Sequence, residues 1–160
     1  MENLFLRQSF YLLIGLLTRI DMNNVVVDTS VVVKWLNQDN EDHIDKADTI
    51  LKDVQSNNIQ LIVPELVKYE VGNVLIHGKG LSLEQAIDVL AQLYKLPLTF
   101  IEDNISLATE TATIASNANI TYYDASFIAV AKQFDAVLVT DNIKHQARTQ
   151  KVRVVAVKDY

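Results

Sequence analysis

The 160-residue chain contains no cysteine. That absence excludes a disulfide framework, thiolate metal sites and a cysteine nucleophile together, and it fits a reducing compartment, with a cytoplasmic location expected. Positive charge is also scarce. Fourteen Lys and Arg stand against twenty Asp and Glu, for a formal net charge of −6. Broad electrostatic attraction to nucleic acid is therefore not expected of the surface as a whole. Contact with a polyanion must come from a local basic patch, or through metal ions that reverse the sign of an acidic site. Internal repeats, low-complexity tracts and interdomain linkers are missing too. With 49% of its residues apolar, the chain can bury a core as one domain.

The apolar run from Ser9 to Leu17 is far too short to span a bilayer, so no membrane contact is expected. It has the apolar length of a signal peptide, but its basic start is weak and no small-x-small cleavage site follows. Met22-Asn23-Asn24 leads straight into an apolar strand. Residues 1–21 are accordingly read as an N-terminal extension, with Met22 the expected start of a single domain over 22–160.

From residue 24 short β-branched runs alternate with longer helical stretches. Strands are expected at Val25–Val27, Leu61–Val63, Leu98–Ile101, Ala136–Val139 and Val152–Val157. Ile44, Ala47, Ile50, Leu51 and Val54 recur at helical spacing. Pro64 fits the first turn of a helix reaching about Ile76. Ser82 with Gln85 forms a capping box, and further helices are expected over 104–117, 125–134 and 142–150. Apolar strands separated by helices indicate a three-layer α/β/α sandwich around a mainly parallel sheet.

Ligands of such sheets bind beyond the carboxyl ends of the strands. Asp28 ends VVVD and Asp141 follows VLVT, both at strand-to-helix junctions. Either can equally be a helix N-cap, and so can Asp124 at the head of ASFIAVAKQF. Glu70 is harder to explain away. It lies three or four residues from Leu66, Val67, Val74 and Leu75, on the stripe expected to face the core. A carboxylate there is costly unless paired, protonated or bound to a cation. Four acids brought together repel one another unless a divalent cation compensates. Oxygen ligands without cysteine suit Mg²⁺ or Mn²⁺, which can activate water for phosphoryl displacement. His43, His77 and His145 read as surface residues.

VVVDTSVVVKW, the Glu of PELVKYEVGNVL, TYYDASFIAVAK and VLVTDN together resemble the four acidic blocks of PIN domains. Their order and flanking residues resemble the toxin branch, the VapC-type ribonucleases of toxin–antitoxin pairs. The resemblance covers residues 25 to about 157. It implies a PIN-like α/β/α fold and an endoribonuclease in which Asp28, Glu70, Asp124 and Asp141 surround one or two Mg²⁺ or Mn²⁺ ions. Asp28 and Asp124 would be the most direct ligands, and Glu70 and Asp141 would complete the shell or act through water. Thr29, Ser30 and Thr140 would orient carboxylates, local capping being the equal alternative. The resemblance also implies an RNA substrate, a VapB-like antitoxin and a homodimer.

Lys144, Arg148, Lys151 and Arg153 could meet RNA phosphates or form a solvated basic face. An exposed apolar surface between Pro64 and Tyr94 is a reasonable docking site for the antitoxin. Two other readings compete: a PIN nuclease of RNA processing without an antitoxin, and a receiver-like Mg²⁺-binding signalling domain. The receiver needs paired acids after its first strand, which this chain lacks.

Overall fold

Val25, Val26 and Val27 are each at most 4% exposed, as β-branched residues are when a strand is covered on both faces. They belong to β1 (Asn23–Val27), the central strand of a five-stranded sheet. The computed structural model describes residues 23–143 and 152–160; the expected extension over 1–21, Met22, and most of the helix expected over 142–150 lie outside them. The other strands are β2 (Ile59–Pro64), β3 (Leu98–Ile101), β4 (Val137–Thr140) and β5 (Val154–Ala156). Their order is β3-β2-β1-β4-β5, and every neighbouring pair is parallel. The sheet is thus wholly parallel. Its order differs from the 2-1-3-4-5 arrangement of flavodoxin-like folds, which removes the receiver-like alternative.

Between β1 and β2 run α1 (Thr29–Leu36) and α2 (Ile44–Gln55). Between β2 and β3 run α3 (Leu66–Asn73), a π turn (Val74–Gly78) and α4 (Leu83–Leu93). The return to the other side of β1 passes through α5 (Ile105–Ala118) and α6 (Tyr122–Gln133). Right-handed crossovers between parallel strands then place α1–α4 on one face and α5–α6 on the other. In agreement, α1 touches α2, α3 and α4, while α6 touches α5 and strands β1, β2 and β4. Residues Ala125 to Ala131 of α6 are buried without a break. A helix apolar on every side belongs inside a fold rather than on it, and its alanines let it approach the sheet closely. Among the described residues no helix is long and apolar enough to cross a membrane.

Three elements depart from the sequence reading. Pro64 ends β2 instead of opening a helix, and α3 begins at Leu66. The β1–β2 register stops at Ile62, so proline's missing N–H interrupts no bond to β1, and Glu65 N–H carries the next bond to Ile101. The helix expected from Ala125 begins at Tyr122 because Thr121 caps it, accepting from Asp124 N–H at 3.0 Å. The last strand is shortened to Val154–Ala156, and Val157–Asp159 winds into a 3-10 turn. The capping box of Ser82 and Gln85 is present in full at the start of α4.

Candidate active site

The strand order reverses direction between β1 and β4, and a crevice opens there beyond their carboxyl ends. Asp28 leaves β1 and Asp141 leaves β4, so both expected acids stand at this switch point. A cleft of about 450 Å³ opens here, lined by Asp28, Glu70 and Asp124 with Thr29, Ser30 and Glu41 among others. Three of the four acids singled out in the sequence therefore share one cavity.

Asp28 is 5% exposed, and its two oxygens have different duties. Oδ1 accepts from the N–H groups of Ser30 at 3.0 Å and Val31 at 3.3 Å, which makes it the N-cap of α1. It also accepts from the Ser30 hydroxyl. Oδ2 accepts from the Thr140 hydroxyl on β4. Capping and cleft-facing roles thus coexist on one carboxylate. Burial pushes its carboxyl up, against the pull of the hydroxyl and amide donors.

Glu70 lies on α3 beside the fully buried row Val67, Val71 and Leu75. It is half-buried rather than inside the core. It turns toward the cleft, where Oε2 accepts from the Thr29 hydroxyl. Burial pushes its carboxyl up, the Thr29 bond opposes this, and the carboxylates of Asp28 and Asp124 add to the upward push. The following π turn, a geometry common at functional sites, carries Val74 to the cleft wall beside Asn73.

Asp124 sits in the first turn of α6 and is not its cap. Thr121 holds it from both ends, accepting its N–H at 3.0 Å and donating its own hydroxyl to Oδ2 at 2.8 Å.

Asp141 is placed differently. Its Oδ2 lies 2.6 Å from the ammonium of Lys34, and it faces a neighbouring depression lined by Asp42, His43, Lys158 and others. The structure brings it beside the three cleft acids but engages it with a cation of the chain. Its N–H reaches the Ser30 hydroxyl at 3.2 Å, so a chain of bonds still links it to Asp28. All three hydroxyls singled out earlier, Thr29, Ser30 and Thr140, bond to an acid of the site.

Sequence reasoning passed over Lys34, Glu41, Asn73 and Asn142. Glu41, Asn73 and Asn142 line the cleft, and Lys34 binds Glu41 at 2.8 Å. Asn73 was within reach, since it lies one helical turn after Glu70. Lys34 and Asp141 lie in distant stretches of sequence, a pairing that local pattern does not report. His43 and His77 are exposed, as expected, and His145 lies outside the described residues. So do Lys144, Arg148 and Lys151, whereas Arg153 is exposed next to β5.

As a cation site the cleft has the right chemistry. Three oxygen-donor side chains face one another, and none of them is ion-paired among the described residues. Burial accounts first for the upward push on Glu70, and the carboxylates of Asp28 and Asp124 add to it, a mutual repulsion that a cation would relieve. Their spacing is open: among the described residues no three acidic or histidine side chains already form a closed ligand group.

The PIN domain family matches residues 25–151, and the chain belongs to that family. No curated protein matches it by sequence. Solved structures resemble it at low identity. VapBC2 of Rickettsia felis, bound to a DNA fragment from its promoter, gives a TM-score of 0.64 at 17% identity over 83% of this chain and 98% of that one. PAE2754 of Pyrobaculum aerophilum gives 0.60 at 23% identity, over 86% and 91%. The sarcin-ricin loop cleaving toxin VapC20 of Mycobacterium tuberculosis gives 0.60 at 13% identity, over 77% and 93%. Identities this low make these likenesses of fold.

Proposed function

We propose that this chain is a Mg²⁺- or Mn²⁺-dependent endoribonuclease and the toxin of a toxin–antitoxin pair. The observation that carries the proposal is the meeting of Asp28, Glu70 and Asp124, none of them ion-paired among the described residues, in one cleft at the sheet's switch point. Asp28 and Asp124 would hold the ion most directly, with Glu70 completing the set and Asp141 joining from beside it. A divalent cation there supplies Lewis acidity toward water and phosphoryl oxygens. The chain's own part is to fix the carboxylates: Thr140 and Ser30 orient Asp28, Thr29 orients Glu70, and Thr121 orients Asp124. Among the described residues the cleft is lined by carboxylates and not by histidine, so a carboxylate would serve as the general base.

The toxin assignment draws support from VapBC neighbours of the same fold in Rickettsia felis and Salmonella typhimurium, solved with DNA bound. It also draws on apolar side chains left in solvent along α3, the π turn and α4. Tyr69 and Leu83 are each 74% exposed, and Ile76, Ile87 and Tyr94 are exposed beside them. Solvated apolar residues in such number suit a protein partner, here a VapB-like antitoxin or a second copy in a homodimer. RNA phosphates would meet Lys144 and Arg148, and the protein would act in the cytoplasm. The test is direct: purified protein, stripped of metal, is given structured RNA with and without Mg²⁺ or Mn²⁺. Internal cleavage only with metal, lost in Asp124→Asn, is expected. A folded protein that leaves RNA intact with every divalent cation tried would sink the reading.

A further inference from the structure

Lys34 is buried to 2% exposure in α1, between Val33 and Trp35. A buried ammonium is tolerated only when fully paired, and this one has two carboxylates: Asp141 at 2.6 Å and Glu41 at 2.8 Å. Held between two carboxylates, the ammonium is a fixed positive charge. Glu41 lines the same cleft as Asp28, Glu70 and Asp124, and its second oxygen binds Lys79 at 2.6 Å. Asp141 reaches Asp28 through Ser30. Lys34 is thus wired into the acidic centre instead of lying apart from it.

Charge then sets a limit. Among the described residues, five carboxylates (Asp28, Glu41, Glu70, Asp124 and Asp141) against the ammoniums of Lys34 and Lys79 leave three net negative charges. One divalent ion leaves one negative charge. A second would reverse the sign, and it would have to displace a lysine already seated between its two best carboxylates.

We propose that Lys34 is a built-in second cation: its ammonium holds Asp141 and Glu41 where a second divalent ion would otherwise bind, so the cleft takes one Mg²⁺ or Mn²⁺ at Asp28, Glu70 and Asp124. This rests on the metal-dependent reading above and adds the number of ions to it. Lys34 acts as a positioning residue, fixing Asp141 without touching substrate.

Calorimetric titration of Mn²⁺ into metal-stripped protein tests it without reference to activity. The wild type is expected to bind one ion, Lys34→Arg one, and Lys34→Gln two, with the first bound severalfold more tightly. Two ions in the wild type, or one in a folded Lys34→Gln, overturns the proposal. Should Lys34→Gln fail to fold, anomalous diffraction from Mn²⁺-soaked wild-type crystals decides. A single peak among Asp28, Glu70 and Asp124, with Lys34 still on Asp141, supports it, and a second peak between Asp141 and Glu41 overturns it. No bound ion in any variant defeats the metal-dependent reading as well. One bound ion without RNA cleavage defeats only the ribonuclease.

Discussion

Thr140 at the end of β4 donates its hydroxyl to Oδ2 of Asp28 at the end of β1. The bond joins the two strands that flank the switch point, and it is made between two buried groups. Thr140→Val keeps the shape and removes the donor. Losing a partner from a buried carboxylate costs about 1–3 kcal/mol, and outer hydrogen bonds to metal ligands are worth about 10–100-fold in affinity. We expect a lower Tm and a Mn²⁺ affinity reduced by about that factor. Calorimetry on Thr140→Val and Thr140→Ser separates the hydroxyl from the methyl, since serine should restore binding.

Asp28 destabilises the metal-free protein when ionised. Its carboxyl is raised by burial in the folded state, so folding favours the proton. This cost is absent below the unfolded carboxyl's ordinary range and grows as pH rises toward the folded value. An asparagine in its place would cap α1 as well as the aspartate does, without carrying charge. Asp28→Asn should therefore be more stable than wild type at pH 7 without metal, by about 0.5–2 kcal/mol, or about 2–6 °C in Tm. The advantage should shrink as pH falls toward 4. Equal Tm values at both pH values would count against the assignment.

Glu70 predicts how cation binding depends on pH. Burial and the neighbouring carboxylates hold its proton to higher pH than an ordinary glutamate, and protons compete with the cation. Mn²⁺ affinity should fall measurably between pH 7 and pH 5, a range in which an unperturbed glutamate stays mostly ionised. Glu70→Gln should bind more weakly throughout and show a flatter profile. Titrations at a series of pH values read both.

Thr121 caps α6 and clamps Asp124 with the same hydroxyl. Thr121→Ala should lose about 1 kcal/mol of stability and, because Asp124 is no longer held, several-fold in cleavage rate. Thr121→Ser keeps the hydroxyl and should restore both. Thermal melts beside RNA cleavage assays separate the two losses.

The strands are legible because apolar β-branched runs have no other comfortable place in a short chain, and Asp28 and Asp141 are legible from their positions at the ends of such runs. Glu70 announces itself by helical spacing, although the structure sets it at the edge of the buried row facing the cleft. Asp124 reads as a cap because the apolar pattern of its helix begins after it; the true cap, Thr121, lies among polar and aromatic residues that carry no periodic signal. The pairing of Asp141 with Lys34 is beyond sequence reading. It depends on β4 lying beside β1, and a lysine within an apolar helical stretch does not name its partner.

The place of β4 in the sheet has a consequence for the chain as it is made. β1 pairs on one side with β2, which follows it closely, and on the other with β4, at residues 137–140. Until those residues emerge from the ribosome, Val25–Val27 form an open, apolar strand edge, the kind that recruits other chains. A polypeptide terminated before β4 should therefore be found in inclusion bodies, not as a soluble, weakened nuclease.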